Sequence, residues 1–191
     1  MSNDNQFTQK IIVFMPKLLL AAFIEVMLYI FLHEGGHALV AIFCGAEITA
    51  FSIVGAYTSS VGGNYTQVTG AILNIAGMAL PLIISVCYMV FFFRKNRGGE
   101  FYQIFSMFFS LMPVMSLLAW VIVPIAFMAG DTTNPDDVIQ FLNVSGIHPV
   151  VVMILAFVLF VGIIFVAWKK GVLQIWIDMV SGHVVLANRK H

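Results

Sequence analysis

Long runs of apolar residues, separated by short polar segments, dominate the chain. A membrane-spanning helix needs about 20 mostly apolar residues, and four runs qualify: 11–45, 70–93, 101–129 and 148–168. The first run exceeds one span and is too long for a cleavable signal peptide, so we expect it to be retained. Lys17, near its start, can extend its amine to the membrane interface. The pattern predicts an all-α polytopic membrane protein of about four transmembrane helices, in a single domain over 1–191.

The segment at 46–69 alternates with a period of two, unlike the helical runs. Residues 48–54 alternate roughly, the Gly-Gly-Asn at 62–64 is a turn signal, and residues 65–68 alternate again. This pattern predicts a short membrane-associated β-hairpin after the first helix. An ordinary connecting loop is the alternative.

Composition agrees with a lipid bilayer as the surrounding solvent. Of 191 residues, 61% are hydrophobic and only 9% are charged, whereas soluble domains carry roughly 25% charged residues. The net charge is zero and no basic stretch leads into a polar domain, so nucleic-acid binding has no support. Cys44 and Cys87 lie in apolar runs and are interpreted as small buried hydrophobes rather than as a disulfide.

The basic residues give the predicted topology a direction. All nine Lys and Arg residues fall on one side of a four-span topology, in the N-terminal part, the loop at 94–97 and the tail at 169–191. The opposite side receives 46–69 and 130–147, which contain acidic residues and no basic one. The positive-inside rule therefore predicts cytoplasmic termini. We expect the tail to be cytoplasmic and to lie on or near the membrane surface.

The first apolar run contains the motif His33-Glu34-Gly35-Gly36-His37. Residues four apart lie on one face of a helix, so both imidazoles can bind one metal ion. Glu34 lies beside them and can act as general base toward a water on the metal without being a ligand. Ionisable groups are costly in a span, by about 2.5–3.5 kcal/mol for Asp, Lys or Arg. The motif therefore predicts a functional zinc site; three polar groups satisfying one another in the bundle are the alternative.

Gly35 and Gly36 leave the helix face beside the metal without side chains. Each costs a helix interior about 1 kcal/mol relative to Ala in water. The bare face allows another backbone to approach closely. That backbone is either a neighbouring helix, as is common in membranes, or an unwound substrate.

A catalytic zinc site usually has three protein ligands and one open position. The predicted topology places the C-terminal end of the first helix on the same side as the loop at 130–147, so we expect the third ligand there. The candidates are Asp131, Asp136, Asp137 and His148. On the far side, His183 and His191 are interpreted as surface residues, and Asp178 is excluded.

These features together resemble the site-2 protease family of intramembrane zinc metalloproteases. The resemblance rests on HEGGHALVAIFCGA in an apolar helix, the β-like segment after it, the glycine-containing helix around 76–81, and the late sequence Asn134-Pro135-Asp136. It covers most of the chain, from about Ile11 to Trp168, and His-Glu-x-x-His is its only sharp motif.

The resemblance implies that a late Asp supplies the third zinc ligand, here Asp137 or Asp136. In the family this Asp precedes a Gly, which this chain lacks. The family's Asp also leads into a helix with apolar residues four and five positions on. From Asp137 those positions hold Phe141 and Leu142, whereas from Asp136 they hold Gln140 and Phe141. Asp137 is therefore preferred, and Asp136 stays the alternative.

The resemblance implies a zinc-dependent intramembrane endopeptidase acting on membrane-spanning protein substrates. His33, His37 and Asp137 would bind Zn²⁺, and Glu34 would activate the water. Asn134 would help to position the substrate or its loop, although an Asn-Pro turn accounts for it equally well. One alternative is a proteolytically inactive member that uses the metal to regulate membrane partners. The other is a metal transporter, for which the second to fourth helices offer few polar residues.

Overall fold

Seven helices and one β-hairpin make up the described part of the chain. The computed structural model describes residues 3–95, 98–130 and 136–180, with side chains from Ile12 to Asp178. The helices are α1 (Asn3–Phe43), α2 (Gln67–Cys87), α3 (Glu100–Met115), α4 (Leu117–Met128), α5 (Asp137–Ser145), α6 (Pro149–Lys170) and α7 (Val172–Val180). Strands β1 (Ala46–Ser52) and β2 (Tyr57–Gly62) pair antiparallel. The predicted helical fold with a hairpin after the first helix is confirmed.

Four helical stretches are long and apolar enough to cross a membrane. They are Ile12–Phe43, Gln67–Phe92, Glu100–Met128 and Pro149–Lys170. Their ends differ from the predicted spans by only a few residues, because hydropathy locates an apolar stretch well and its helix ends poorly. The second stretch continues α2 through a π-helical turn at Tyr88–Phe92. The chain is therefore a multi-pass membrane protein.

The third predicted span, 101–129, consists of two helices rather than one. Pro113 lies three residues before the break at Ser116, and a proline inside a helix removes a backbone hydrogen bond. The Ser116 hydroxyl donates to the Pro113 carbonyl at 2.6 Å, so it satisfies a carbonyl group at the end of α3. Together α3 and α4 still cover the length of one span.

The hairpin turns earlier in the sequence than predicted. Its turn is at 53–56, and the strand pairing runs from Ser52 with Tyr57 out to Ala46 with Gly62. The predicted turn, Gly-Gly-Asn at 62–64, instead closes the open end of the hairpin. There the Asn64 N–H donates to the carbonyl of Cys44 at 2.8 Å and returns the chain to the end of α1.

Residues 65–68, predicted as the second strand, enter α2. Thr66 caps this helix, accepting from the Thr69 N–H at 3.2 Å, while the Thr69 hydroxyl accepts from the Thr66 N–H at 2.8 Å. This reciprocal capping satisfies two N–H groups at the helix start. The cap favours a helix over the strand that alternation alone suggested.

α1 and α2 approach so closely at Gly36 that a side chain does not fit between them. A Cβ atom at Gly36 would lie 2.2 Å from the carbonyl oxygen of Ala76 and 3.2 Å from the backbone nitrogen of Gly77. A Cβ atom at Gly35 would meet only a methyl group of Leu80, at 4.0 Å. The two glycines therefore differ: Gly36 permits backbone contact with a neighbouring helix, and Gly35 has room for a side chain.

Two apolar clusters pack the remaining helices. The first joins α2, α3, α4, α5 and α6, with the rings of Trp120 and Phe141 in edge contact at 5.3 Å. The second joins the π-helical turn, α3, α6 and α7, and buries Met107 and Ile175. Part of the predicted tail is thus the packed helix α7, because its buried face contacts this cluster. Residues 181–191 lie outside the described residues.

Polar contacts link several of the helices. One buried carboxyl oxygen has no hydrogen-bond partner among the described residues. Lys17 forms an ion pair with Glu100 at 2.5 Å, which joins α1 to the start of α3. Lys170 donates to the carbonyl of Val90 at 2.7 Å. The Glu25 side chain is buried in α1, and its Oε2 has no hydrogen-bond partner among the described residues.

Replacing Gly36 by Ala should force α1 and α2 apart, because the new Cβ meets backbone atoms that cannot rotate away. We expect Gly36→Ala to lower the free energy of unfolding by about 1–3 kcal/mol or more. Gly35→Ala is the matched control and should stay within about 1 kcal/mol of wild type. Thermal melts of both proteins in detergent, followed by circular dichroism, measure this. An unchanged melting point for Gly36→Ala would show that the close contact is dispensable.

Candidate metal centre

His33 and His37 lie on one face of α1, which is continuous through the motif. Their ring centroids are 4.9 Å apart and their Nε2 atoms are 3.3 Å apart. The four-residue spacing places the two rings one helical turn apart on the side that packs against α2 and α5. Both imidazoles therefore direct a nitrogen to the same point.

Asp137, the first residue of α5, completes the group. Its Oδ2 lies 3.2 Å from the Nε2 of His33 and 3.2 Å from the Nε2 of His37. Ligands bound about 2.0–2.2 Å from a tetrahedral zinc ion lie roughly 3.3 Å from one another. The three donor atoms form a triangle and would therefore hold such an ion as its three protein ligands. Number, kind and spacing of the donors fit zinc.

A backbone hydrogen bond orients the His37 ring for metal binding. Its Nδ1 lies 2.8 Å from the carbonyl oxygen of Leu73, and a carbonyl oxygen can only accept, so Nδ1 carries a proton. The Nε2 atom is then the ring nitrogen that can bind a metal ion. Any proton on Nε2 is displaced when the metal binds, and the proton on Nδ1 stays. The Nδ1 of His33 is buried and has no hydrogen-bond partner among the described residues.

The two imidazoles also keep Asp137 ionised. Burial alone would raise the pKa of the Asp137 carboxyl, but hydrogen bonding and charge from His33 and His37 outweigh it and hold that pKa well below its usual range. The carboxylate is the form that binds zinc. Asp137 is therefore in its ligating form at neutral pH.

Gly77 of α2 lies so close to both imidazoles that no side chain fits at this position. A Cβ atom there would lie 2.3 Å from the Nε2 of His37 and 2.8 Å from the Nε2 of His33. Any side chain at this position would therefore push the ligand atoms away. Sequence reasoning did not assign this role to Gly77; a glycine inside an apolar span signals a close approach but does not identify what approaches.

The other predicted ligand candidates do not join the triangle in the described part of the chain. Asp136 caps α5, where its Oδ1 accepts from the Val138 N–H at 2.7 Å. His148 caps α6 by accepting from the Val150 N–H at 3.3 Å, and it is exposed. Asp131 lies outside the described residues, as does Asn134, the predicted substrate-positioning residue.

A cavity of about 380 Å³ opens beside the triangle. Glu34 lines it and is only 6% exposed. The turn and strand of β2 form one side, where the Thr58 hydroxyl donates to the backbone carbonyl of Glu34 at 3.1 Å. Asn74 of α2 lines the cavity as well. Neither Thr58 nor Asn74 was predicted as a site residue, because their place in the cavity depends on how the hairpin and α2 pack against α1.

Comparisons with known proteins find no match: no family model, no curated protein and no solved structure corresponds to this chain. Fold and geometry define the class, a multi-pass membrane protein with a His-His-Asp group that could hold a metal ion. Its function must therefore be inferred from its own residues.

If Asp137 helps to hold a metal ion, its replacement should release that ion, whereas replacement of its neighbour Asp136 should not. We expect Asp137→Asn to lower zinc affinity by at least about 100-fold, since even outer-shell changes cost 10–100-fold. Asp136→Asn is the matched control, because Asn also caps helices well and should leave zinc affinity unchanged. Elemental analysis of both purified proteins, with chelator competition, measures this. Zinc loss from Asp136→Asn alone would reverse the assignment.

Proposed function

We propose that the protein is a zinc-dependent intramembrane endopeptidase, similar to the site-2 proteases, that hydrolyses peptide bonds of membrane-spanning substrates. The observation that carries this proposal is the triangle of His33, His37 and Asp137, with Glu34 beside it in a cavity. The triangle involves α1, a helix long and apolar enough to span the membrane. A hydrolytic centre placed there acts on peptide bonds at the membrane rather than in free solution.

Glu34 is the residue we assign as general base. When bound, zinc supplies Lewis-acid chemistry that polarises a carbonyl group and makes water acidic near neutral pH. Glu34 lines the cavity and is not part of the triangle. It can therefore accept a proton from the attacking water and return it to the leaving amine.

The hairpin supports an extended peptide as the bound form of the substrate. β2 has β1 as its one strand partner among the described residues, so its other edge is unpaired. Tyr57, Thr58 and Ser60 of β2 line the cavity. An extended segment can add to this free edge, because backbone hydrogen bonds recognise extended shape rather than sequence. A transmembrane helix that unwinds locally presents such a segment.

The distribution of basic residues supports cytoplasmic termini. Four spans place both ends of the chain on one side, and all nine Lys and Arg residues belong to that side. This orientation puts the hairpin and α5 towards the opposite, extracytoplasmic side. The cavity would then receive substrates from that half of the bilayer.

Glu34→Gln should abolish cleavage without removing zinc. The amide cannot take up the proton, and loss of a general base costs about 10²–10⁴-fold in rate, while the ligand triangle is untouched. Cleavage of a single-span model substrate with a Gly-Pro centre, reconstituted in liposomes, measures the rate. Cleavage by Glu34→Gln at the wild-type rate would contradict the assignment of Glu34 as general base. Zinc binding by the wild type without cleavage that depends on Glu34 would instead support the inactive, metal-binding alternative.

Labelling of introduced cysteines tests the orientation. In a background of Cys44→Ala and Cys87→Ala, we expect Glu47→Cys to react with a membrane-impermeant maleimide added to intact cells. Asn96→Cys, in the basic loop, should react only after the cells are opened, because basic loops are retained in the cytoplasm. The reverse pattern would invert the topology.

A further inference from the structure

The cavity beside Glu34 has a second wall, formed by α2 and α5. Asn74 of α2 and Gln140 of α5 are both among the residues that line it. The cavity is also lined by β2 and its turn, and by no residue of β1. A peptide strand added to β2 would therefore enter the cavity that Asn74 also lines.

Asn74 is held close to the ligand triangle. The carbonyl of the preceding residue, Leu73, accepts the hydrogen bond from His37. One helical turn further on, Gly77 contacts the imidazoles of both histidines. This stretch of α2 is thereby fixed against the metal ligands on both sides of Asn74.

The Asn74 carboxamide is buried but keeps its hydrogen-bonding capacity. The residue is only 8% exposed, and its side chain makes no hydrogen bond to any described residue. Its side-chain polar atoms are not among the fully buried, unpartnered atoms of the described residues, so they stay accessible from the cavity that Asn74 lines. The chemistry of the group, one carbonyl acceptor and two N–H donors, matches a peptide backbone.

We infer that Asn74 binds the substrate backbone on the edge that β2 leaves free; this inference rests on the proposed peptidase function. An extended strand carries N–H and C=O groups along both edges, and pairing with β2 uses one edge only. On the other edge, the Asn74 amide donates to a substrate carbonyl and accepts from a substrate N–H. Both contacts ignore side chains, so substrates are selected by their ability to unwind and not by their sequence.

The test measures binding separately from cleavage. In the Glu34→Gln background, the probe is the Gly-Pro single-span peptide labelled with fluorescein, and its Kd is measured by anisotropy in detergent. Asn74→Leu keeps the side-chain shape and removes its polar atoms, so we expect the loss of two hydrogen bonds to raise the Kd about 5–100-fold. Zinc content and melting temperature should not change. Asn143→Leu, on the exposed face of α5 and outside the cavity, is the matched control and should leave the Kd unchanged.

A series of probes with single backbone esters locates the contact. Each ester removes one substrate N–H, and we expect one position near the scissile bond to weaken binding to Glu34→Gln but not to Glu34→Gln with Asn74→Leu. If Asn74→Leu loses zinc or melts early, Asn74→Ser is measured in its place. The inference is overturned if the ester weakens binding to Asn74→Ser as much as it weakens binding to the protein that keeps Asn74.

The outcomes separate the two proposals. A Kd unaffected by Asn74→Leu, with cleavage that still depends on Glu34, overturns the role of Asn74 and leaves the peptidase standing. A wild type that neither binds nor cleaves the probes overturns the peptidase, and the role of Asn74 falls with it.

Discussion

The backbone contact between α1 and α2 at Gly36 is the constraint on which the site depends. Hydrocarbon surroundings give little preference for one apolar helix face over another, so close packing and hydrogen bonds set the register of two spans. With Gly36 against the Ala76 carbonyl, the Leu73 carbonyl meets His37 and Gly77 faces both imidazoles. A shift of α2 by one residue would rotate Leu73 and Gly77 away from the histidines together. The contact between α1 and α2 at Gly36 therefore also sets the orientation of His33 and His37.

Two neighbouring aspartates at the start of α5 have different roles at the candidate centre. Asp136 caps the helix and fixes where it begins, and Asp137 is thereby turned towards the histidines. The other end of the helix is held by its apolar face, with Phe141 and Leu142 buried in the cluster that contains Trp120. A nine-residue helix has little stability of its own, so this packing is what makes the position of Asp137 reproducible.

The sequence was sufficient for features that depend on local chemistry. Hydropathy located four spans, and the spacing of His33 and His37 put them on one face. The preference for Asp137 over Asp136 relied on apolar residues at positions 141 and 142, which are indeed buried, whereas Gln140 is exposed. The hairpin turn was misplaced because Gly-Gly-Asn suits a turn and a strand end alike. Sequence patterns did not predict three residues of the site, because they reach it only when α2 and the hairpin pack against α1. These residues are Gly77, Thr58 and Asn74.

The ligands of the candidate centre are far apart in the chain: His37 and Asp137 are 100 residues from each other. During synthesis α1 and α2 enter the membrane first, and α5 follows only after the whole third span. At a synthesis rate of about 5–20 residues per second, Asp137 is added to the chain roughly 5–20 s after His37. The candidate centre therefore cannot assemble before three of the four spans have been synthesised.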